Sequence, residues 1–107
     1  MTDDESLYDV DLPKEVVARV NIGVVAVSLS LYDEGMTVDE LAEVTGIKKP
    51  EVERCLEFLM RKRMIRKRFD SNIYLVSNFK KLLRYLIANG LVFPLSEMNQ
   101  QVKENSN

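Results

Sequence analysis

Twelve basic side chains fall between residues 48 and 84: Lys48, Lys49, Arg54, Arg61, Lys62, Arg63, Arg66, Lys67, Arg68, Lys80, Lys81 and Arg84. Only four acids, Glu51, Glu53, Glu57 and Asp70, share that segment, which carries a net +8. The rest of the chain has three bases against thirteen acids, a net −10. The formal charge of −2 therefore conceals a basic middle between acidic flanks. Guanidinium and ammonium groups gathered in this way neutralise phosphates, and Arg or Lys is also the commonest reader of guanine edges. The chemistry on offer is recognition of a polyanion. A cationic run by itself is a solvated surface, so its meaning depends on the elements that carry it.

Catalytic chemistry lacks its parts. The 107 residues include no histidine, which removes Ser-His-Asp and Cys-His nucleophiles, His metal sites and the usual base at neutral pH. Cys55 is the lone cysteine, so neither an intramolecular disulfide nor a Cys-based metal site can form. It falls on an apolar stripe and reads as core packing, not as a redox sensor. Asp3, Asp4, Glu5, Asp9 and Asp11 read as a solvated acidic tail, and the methionines show no ligand spacing. No enzymatic activity, cofactor or metal is expected, and no small-molecule ligand is evident. The length fits one domain. Met1 is followed by acids, the reverse of a secretory start. The longest apolar stretch, residues 22–32, is shorter than the ~20 residues a spanning helix needs. No membrane partner is expected, and the cytoplasm is the expected compartment.

The elements that hold the basic groups follow from periodicity. Residues 1–12 read as a flexible acidic N-terminus, 13–95 as the folded domain and 96–107 as a flexible polar tail. The valine-rich run 16–32 is too long for a strand and reads as a largely buried first helix, opened near Pro13 and closed by Gly35. Burial on nearly all sides exceeds what one small domain requires, so this helix is also a candidate for contact with a partner subunit. Thr37 and Glu40 have the spacing of a capping box, and Thr45-Gly46 ends a short second helix. A third helix starts around residues 48–50, where proline is tolerated in the first turn. Val52, Cys55, Leu56 and Leu59 form its inward stripe, which turns Pro50, Arg54, Glu57 and Arg61 outward. After Met64 the period changes to two. Residues 65–69 and 73–76 read as strands joined at Asp70-Ser71-Asn72. Phe69 and Tyr74 could stack on bases, but aromatics in a hairpin over a small core more often pack, and packing is the expectation. Ser77 or Asn78 caps a fourth helix that carries Phe79, Leu82, Leu83, Leu86 and Ile87 on one side and ends at Asn89-Gly90.

Helix, short helix, tight turn, helix, basic hairpin, helix is an informative order. Met36-Thr37-Val38-Asp39-Glu40-Leu41-Ala42-Glu43-Val44-Thr45-Gly46-Ile47 resembles the T-x-x-E-L-A-x-x-T-G-hydrophobic positioning helix and turn of the winged helix-turn-helix superfamily. The likeness is to MarR-, ArsR- and TrmB-like bacterial and archaeal regulators. Val52, Arg54, Leu56, Leu59, Arg63-Met64-Ile65 and Arg66-Lys67 continue it, and it covers roughly residues 15–77. Arg63 stands where that pattern usually has glycine. Lys48, Glu51 and Glu53 stand where many relatives carry serine or threonine.

The resemblance implies a mainly α fold with a small β-hairpin, a winged helix-turn-helix with an additional C-terminal helix. It also implies a transcription regulator that binds double-stranded DNA as a homodimer. Lys49 and Arg54 are the expected base-reading side chains of the recognition helix. Lys48, Arg61, Lys62, Arg66, Lys67 and Arg68 complete the expected DNA-binding set, with Arg66 and Arg68 following phosphates or probing the minor groove from the wing. Helix 1 and residues 79–95 are the expected dimer contact. The alternative is a winged helix used as a protein-interaction module in a transcription or replication assembly. Glu51, Glu53 and Glu57 favour it, because protein partners tolerate mixed charge.

Overall fold

Pro13 opens the first helix of the computed structural model, which describes residues 13–92. The expectations for residues 1–12 and 93–107 lie outside those described residues. Helix α1 (Lys14–Ser30) takes Pro13 as its N-cap, and the Pro13 carbonyl accepts from the Val16 and Val17 amides at 3.0 and 3.1 Å. One face, Ile22, Val25, Ala26 and Leu29, is buried. Near-total burial of this helix is not observed. Val17, Val20, Val24 and Val27 are 36–43% exposed, because the other elements cover only the opposite side.

Gly35 does not close α1, which is a second departure from expectation. The helix stops at Ser30 with Leu31 as C-cap. The Ser28 and Ser30 hydroxyls donate back to the Val24 and Val27 carbonyls, and the Leu31 and Tyr32 amides reach carbonyls three residues back. This tight last turn ends the ladder early. Gly35 adopts φ +86° beneath the hairpin, where a Cβ would lie 2.5 Å from the Tyr74 carbonyl oxygen. Next to it, Met36 and Tyr74 exchange backbone hydrogen bonds of 2.9 and 2.8 Å, so an isolated bridge ties the α1–α2 connection to the hairpin.

Helix α2 (Val38–Thr45) has the capping box its sequence announces. The Glu40 amide donates to Thr37 Oγ1 at 3.1 Å, and the Thr37 amide donates to Glu40 Oε1 at 2.9 Å. Gly46 ends it in the left-handed conformation, φ +75°. Helix α3 (Lys49–Arg61) begins at an N-cap, Lys48, that makes no side-chain bond; Pro50 sits in its first turn. Val52, Cys55, Leu56 and Leu59 are buried, as the stripe requires.

The end of α3 is a Schellman turn. The Met64 amide reaches the Leu59 carbonyl at 3.1 Å and the Arg63 amide reaches that of Met60 at 2.9 Å. The left-handed position of the motif is occupied by Arg63, φ +61°. Helix α4 (Phe79–Ala88), capped by Asn78 Oδ1 accepting from the Lys81 amide, ends in the same motif with Gly90 at that position.

Strands β1 (Ile65–Lys67) and β2 (Tyr74–Val76) pair antiparallel, Ile65 opposite Val76 and Lys67 opposite Tyr74. They are shorter than the alternation suggests, because the chain leaves the ladder at Arg68. The described protein is thus mainly helical, four helices with one two-stranded antiparallel hairpin. One core joins all elements: Val25, Leu29, Leu41, Val52, Leu59, Met64 and Leu82 are its deepest side chains. Each buried leucine contributes roughly 2 kcal/mol by area removed from water. Leu91 and Val92 pack against the same core. Among the described residues, no helix is long and apolar enough to cross a membrane.

Candidate functional site

All eight basic residues singled out by the sequence are exposed, but they fall into two groups at opposite ends of α3. Lys48, Lys49 and Arg54 lie toward its start. Arg61 and Lys62 lie at its end and lead directly into Arg66, Lys67 and Arg68 on the hairpin. A 13-residue helix separates its two ends by roughly 18 Å at 1.5 Å per residue.

The first group is largely engaged within the protein. Lys49 Nζ lies 2.8 Å from Asp39 Oδ1 of α2, and that contact raises its pKa above the ordinary lysine value. Arg54 is held in a fork: its Nε donates to Glu51 Oε1 at 2.8 Å and its Nη2 to Glu51 Oε2 at 2.6 Å. The same Nη2 lies 3.3 Å from the Ala18 carbonyl of α1. Asn21 of α1 also donates to Glu51 Oε2, at 3.0 Å. The Arg54 hydrogen bonds, then that of Asn21, hold the Glu51 carboxyl well below its usual range, at about 2. These charges join α3 to α1. Their guanidinium is directed along the protein surface.

The second group has no acidic partner among the described residues. Lys62 Nζ sits over the Phe58 ring, 5.6 Å from its centre, and Lys67 Nζ over that of Tyr74 at 5.9 Å, so each ammonium rests on an aromatic face. Arg61 stands in the last turn of α3, Arg66 on β1 and Arg68 just beyond β1, and all three are exposed. Arg68 uses its backbone amide to close the hairpin loop on the Ile73 carbonyl at 2.7 Å, which leaves its side chain free of that task.

Between α3 and the hairpin lies a groove lined by Pro50, Glu53, Arg54, Glu57, Met60 and Tyr74. Two carboxylates therefore stand on the face that the outward side of α3 presents. Cys55, fully buried, has its thiol pushed up to about 11 by burial, and it is no nucleophile in this setting. No group of three or more His, Cys, Asp or Glu side chains is arranged to hold a metal among the described residues.

Two features of this region escape a reading by residue type. Glu51 and Arg54 have the i, i+3 spacing of a helical ion pair, a signal present in the sequence but outweighed by the outward phase of Arg54. Phe69 was expected to pack and instead stands 90% exposed at the hairpin tip, because the chain has already left the ladder there. Tyr74, by contrast, is half-buried against the core.

Compared with known proteins, the chain matches no family model, and no curated protein or solved structure is significantly similar to it.

Proposed function

We propose that this chain is a small winged-helix protein that binds duplex DNA as a homodimer and acts as a transcription regulator. The observation that carries the reading is a set of five exposed basic side chains, Arg61, Lys62, Arg66, Lys67 and Arg68, on the end of α3 and the hairpin that follows it, with no acidic partner among the described residues. The element order supports it. The Met36–Tyr74 bridge pairs a third backbone segment with the loop end of β2, which ties the hairpin to the α1–α2 connection. In this reading α3 is the recognition helix, and Arg61 and Lys62 follow phosphates beside the groove. Arg66 and Arg68 reach the backbone or the minor groove from the wing. Lys48 adds a phosphate contact at the far end of α3. Lys49 and Arg54 read bases only by exchanging Asp39 and Glu51 for DNA, which makes affinity rest mainly on phosphate neutralisation.

The dimer contact in this proposal is the outward face of α1. Val17, Val20, Val24, Val27 and Leu31 repeat at intervals of three and four residues, the spacing of a two-helix seam, and all are exposed. Residues 20–32 contain no charged side chain, so a two-fold copy of the face meets no like charge. Phe79 and Leu83 of α4 are also exposed, in line with a contribution from residues 79–95. A two-fold dimer presents two recognition helices about one DNA turn apart.

A second reading, a winged helix that binds a protein segment, is favoured by Glu53, Glu57 and Met60 in the groove between α3 and the hairpin. Titration of a generic duplex at two salt concentrations separates the two. The DNA-binding reading expects saturable binding that weakens steeply with salt. No binding at low salt leaves the protein-interaction reading.

A further inference from the structure

We propose that Phe69 is a wedge: the hairpin tip inserts its ring between two base pairs of duplex DNA from the minor-groove side, unstacking and bending that step. The inference rests on the duplex-binding reading above and adds a contact that reading does not contain.

Among the described residues Phe69 is the most exposed of the large apolar side chains, 90% open, whereas Phe58 packs at a tilt against Tyr85, ring centres 5.7 Å apart, and Tyr74 packs on the core. Its exposure is built in by the backbone. The Arg68 amide donates to the Ile73 carbonyl at 2.7 Å, and the Ser71 amide and hydroxyl both donate to the Arg68 carbonyl at 3.2 Å. The Ile73 amide donates to Ser71 Oγ at 3.2 Å, and Asp70 takes the left-handed conformation, φ +61°. The loop is closed on itself, and the ring stands open, with only its loop neighbours Lys67 to Asn72 around it among the described residues. Below the tip, the Met36–Tyr74 bridge fastens the second strand to the α1–α2 connection, so a load on the ring is carried into the core.

The chemistry around the ring selects the partner. Arg66, Lys67 and Arg68 precede it directly, and Arg61 and Lys62 stand a few residues upstream at the end of α3, all exposed. Cations that follow two phosphate backbones bring the tip to the groove between them. A single apolar side chain set in such a surface is the device by which minor-groove proteins open a base step. An anionic bilayer is the other surface that combines phosphate with an apolar interior. It suits this tip poorly: the residues after the ring are Asp70, Ser71 and Asn72, and one ring beside a carboxylate supplies little of the apolar area that stable anchoring requires.

The test uses two variants of the full chain. Because the ring is exposed, Phe69→Ala and Phe69→Trp should unfold at the wild-type temperature. Phe69→Ala should bind a generic duplex about tenfold more weakly, within the range for losing one aromatic–base stack, with the salt slope unchanged because no phosphate contact is lost. A duplex carrying a donor and acceptor dye at its ends should be bent by the wild type and not by Phe69→Ala. The chain has no tryptophan, so Phe69→Trp supplies a single reporter, whose emission should be quenched at saturation with duplex. Wild-type affinity and bending in Phe69→Ala, or unchanged Phe69→Trp emission at saturation, overturns the wedge while leaving duplex binding in place. A blue shift of Phe69→Trp on phosphatidylserine-containing vesicles without quenching by duplex overturns it in favour of a membrane surface. A wild-type protein that binds no duplex removes the wedge together with the reading beneath it.

Discussion

Arg54 grips both carboxylate oxygens of Glu51 one turn back along α3, at 2.8 and 2.6 Å, and touches the Ala18 carbonyl of α1 with the same guanidinium. Two helices are joined at a position where the helix phase alone points an arginine toward a partner. The pair is partly open to solvent, 42% and 30% exposed, so its contribution to stability is screened to about 1 kcal/mol or less. Its pH dependence is nevertheless distinct. The Glu51 carboxyl titrates near 2 in the folded protein against an ordinary 4.5, so the contribution is fully present above pH 4.5 and is lost as the pH falls toward 2. Denaturant unfolding of Glu51→Gln and wild type across that window should show the wild-type advantage shrinking with acidification. A difference that stays constant from pH 6 to pH 2 would show that the ion pair contributes nothing.

Arg63 holds a left-handed conformation in the same turn motif where Gly90 serves at the end of α4. A side chain there costs roughly 1 kcal/mol. Arg63→Gly is therefore expected to raise unfolding stability by a few tenths to about 1 kcal/mol, less the entropy glycine adds to the unfolded chain. Gly90→Ala should lower it by about 1 kcal/mol. Equilibrium unfolding in urea checks both, and a destabilised Arg63→Gly would count against strain at this turn.

Gly35 and Gly46 both have positive φ but differ in their surroundings. A Cβ at Gly35 would meet the Tyr74 carbonyl at 2.5 Å, whereas at Gly46 nothing lies within 4 Å. Gly46→Ala should cost about 1 kcal/mol from backbone strain alone. Gly35→Ala should cost clearly more, because backbone must move and the Met36–Tyr74 bridge with it. Thermal unfolding ranks the two, and equal losses would refute the close approach at Gly35.

The outward stripe of α1 gives the proposed dimer a direct test. Light scattering should report twice the chain mass for the wild type. Val20→Lys combined with Val27→Lys should give the monomer mass with the helical circular dichroism intact, since both side chains are about 40% exposed. A monomeric wild type at tens of micromolar would remove α1 as a self-association face.

Much of this architecture was legible in the residues because local and tertiary signals agree. Thr37 with Glu40, the stripe from Val52 to Leu59, and Asn78 before Phe79 each fix an element by spacing or capping chemistry, and each forms as its sequence requires. The departures arise where a long-range contact decides. Gly35 looks like a helix terminator, but its purpose is clearance for Tyr74, thirty-nine residues away. The valines of α1 look like core because they surround the helix, yet hydrophobicity does not say how many neighbours exist to cover them. At the candidate site, exposure of Arg54, Arg61 and Arg66 follows from helix phase and strand alternation, whereas Lys67 shares the side of the buried Ile65 and is exposed all the same. Which basic residues are engaged does not follow from either: Asp39 reaches Lys49 across a turn, and Asn21 supports Glu51 from another helix.

The central claim is that the basic end of α3 and the hairpin bind DNA phosphates, and the salt dependence of duplex binding tests it most directly. Fluorescence anisotropy with a generic duplex, measured from low to moderate salt, should give a steep linear fall of log affinity with log salt for the wild type. Arg66→Ala combined with Arg68→Ala should weaken binding at every salt and reduce the slope by about 2, one unit for each phosphate contact removed. A double variant that binds with wild-type affinity and wild-type slope would contradict the account.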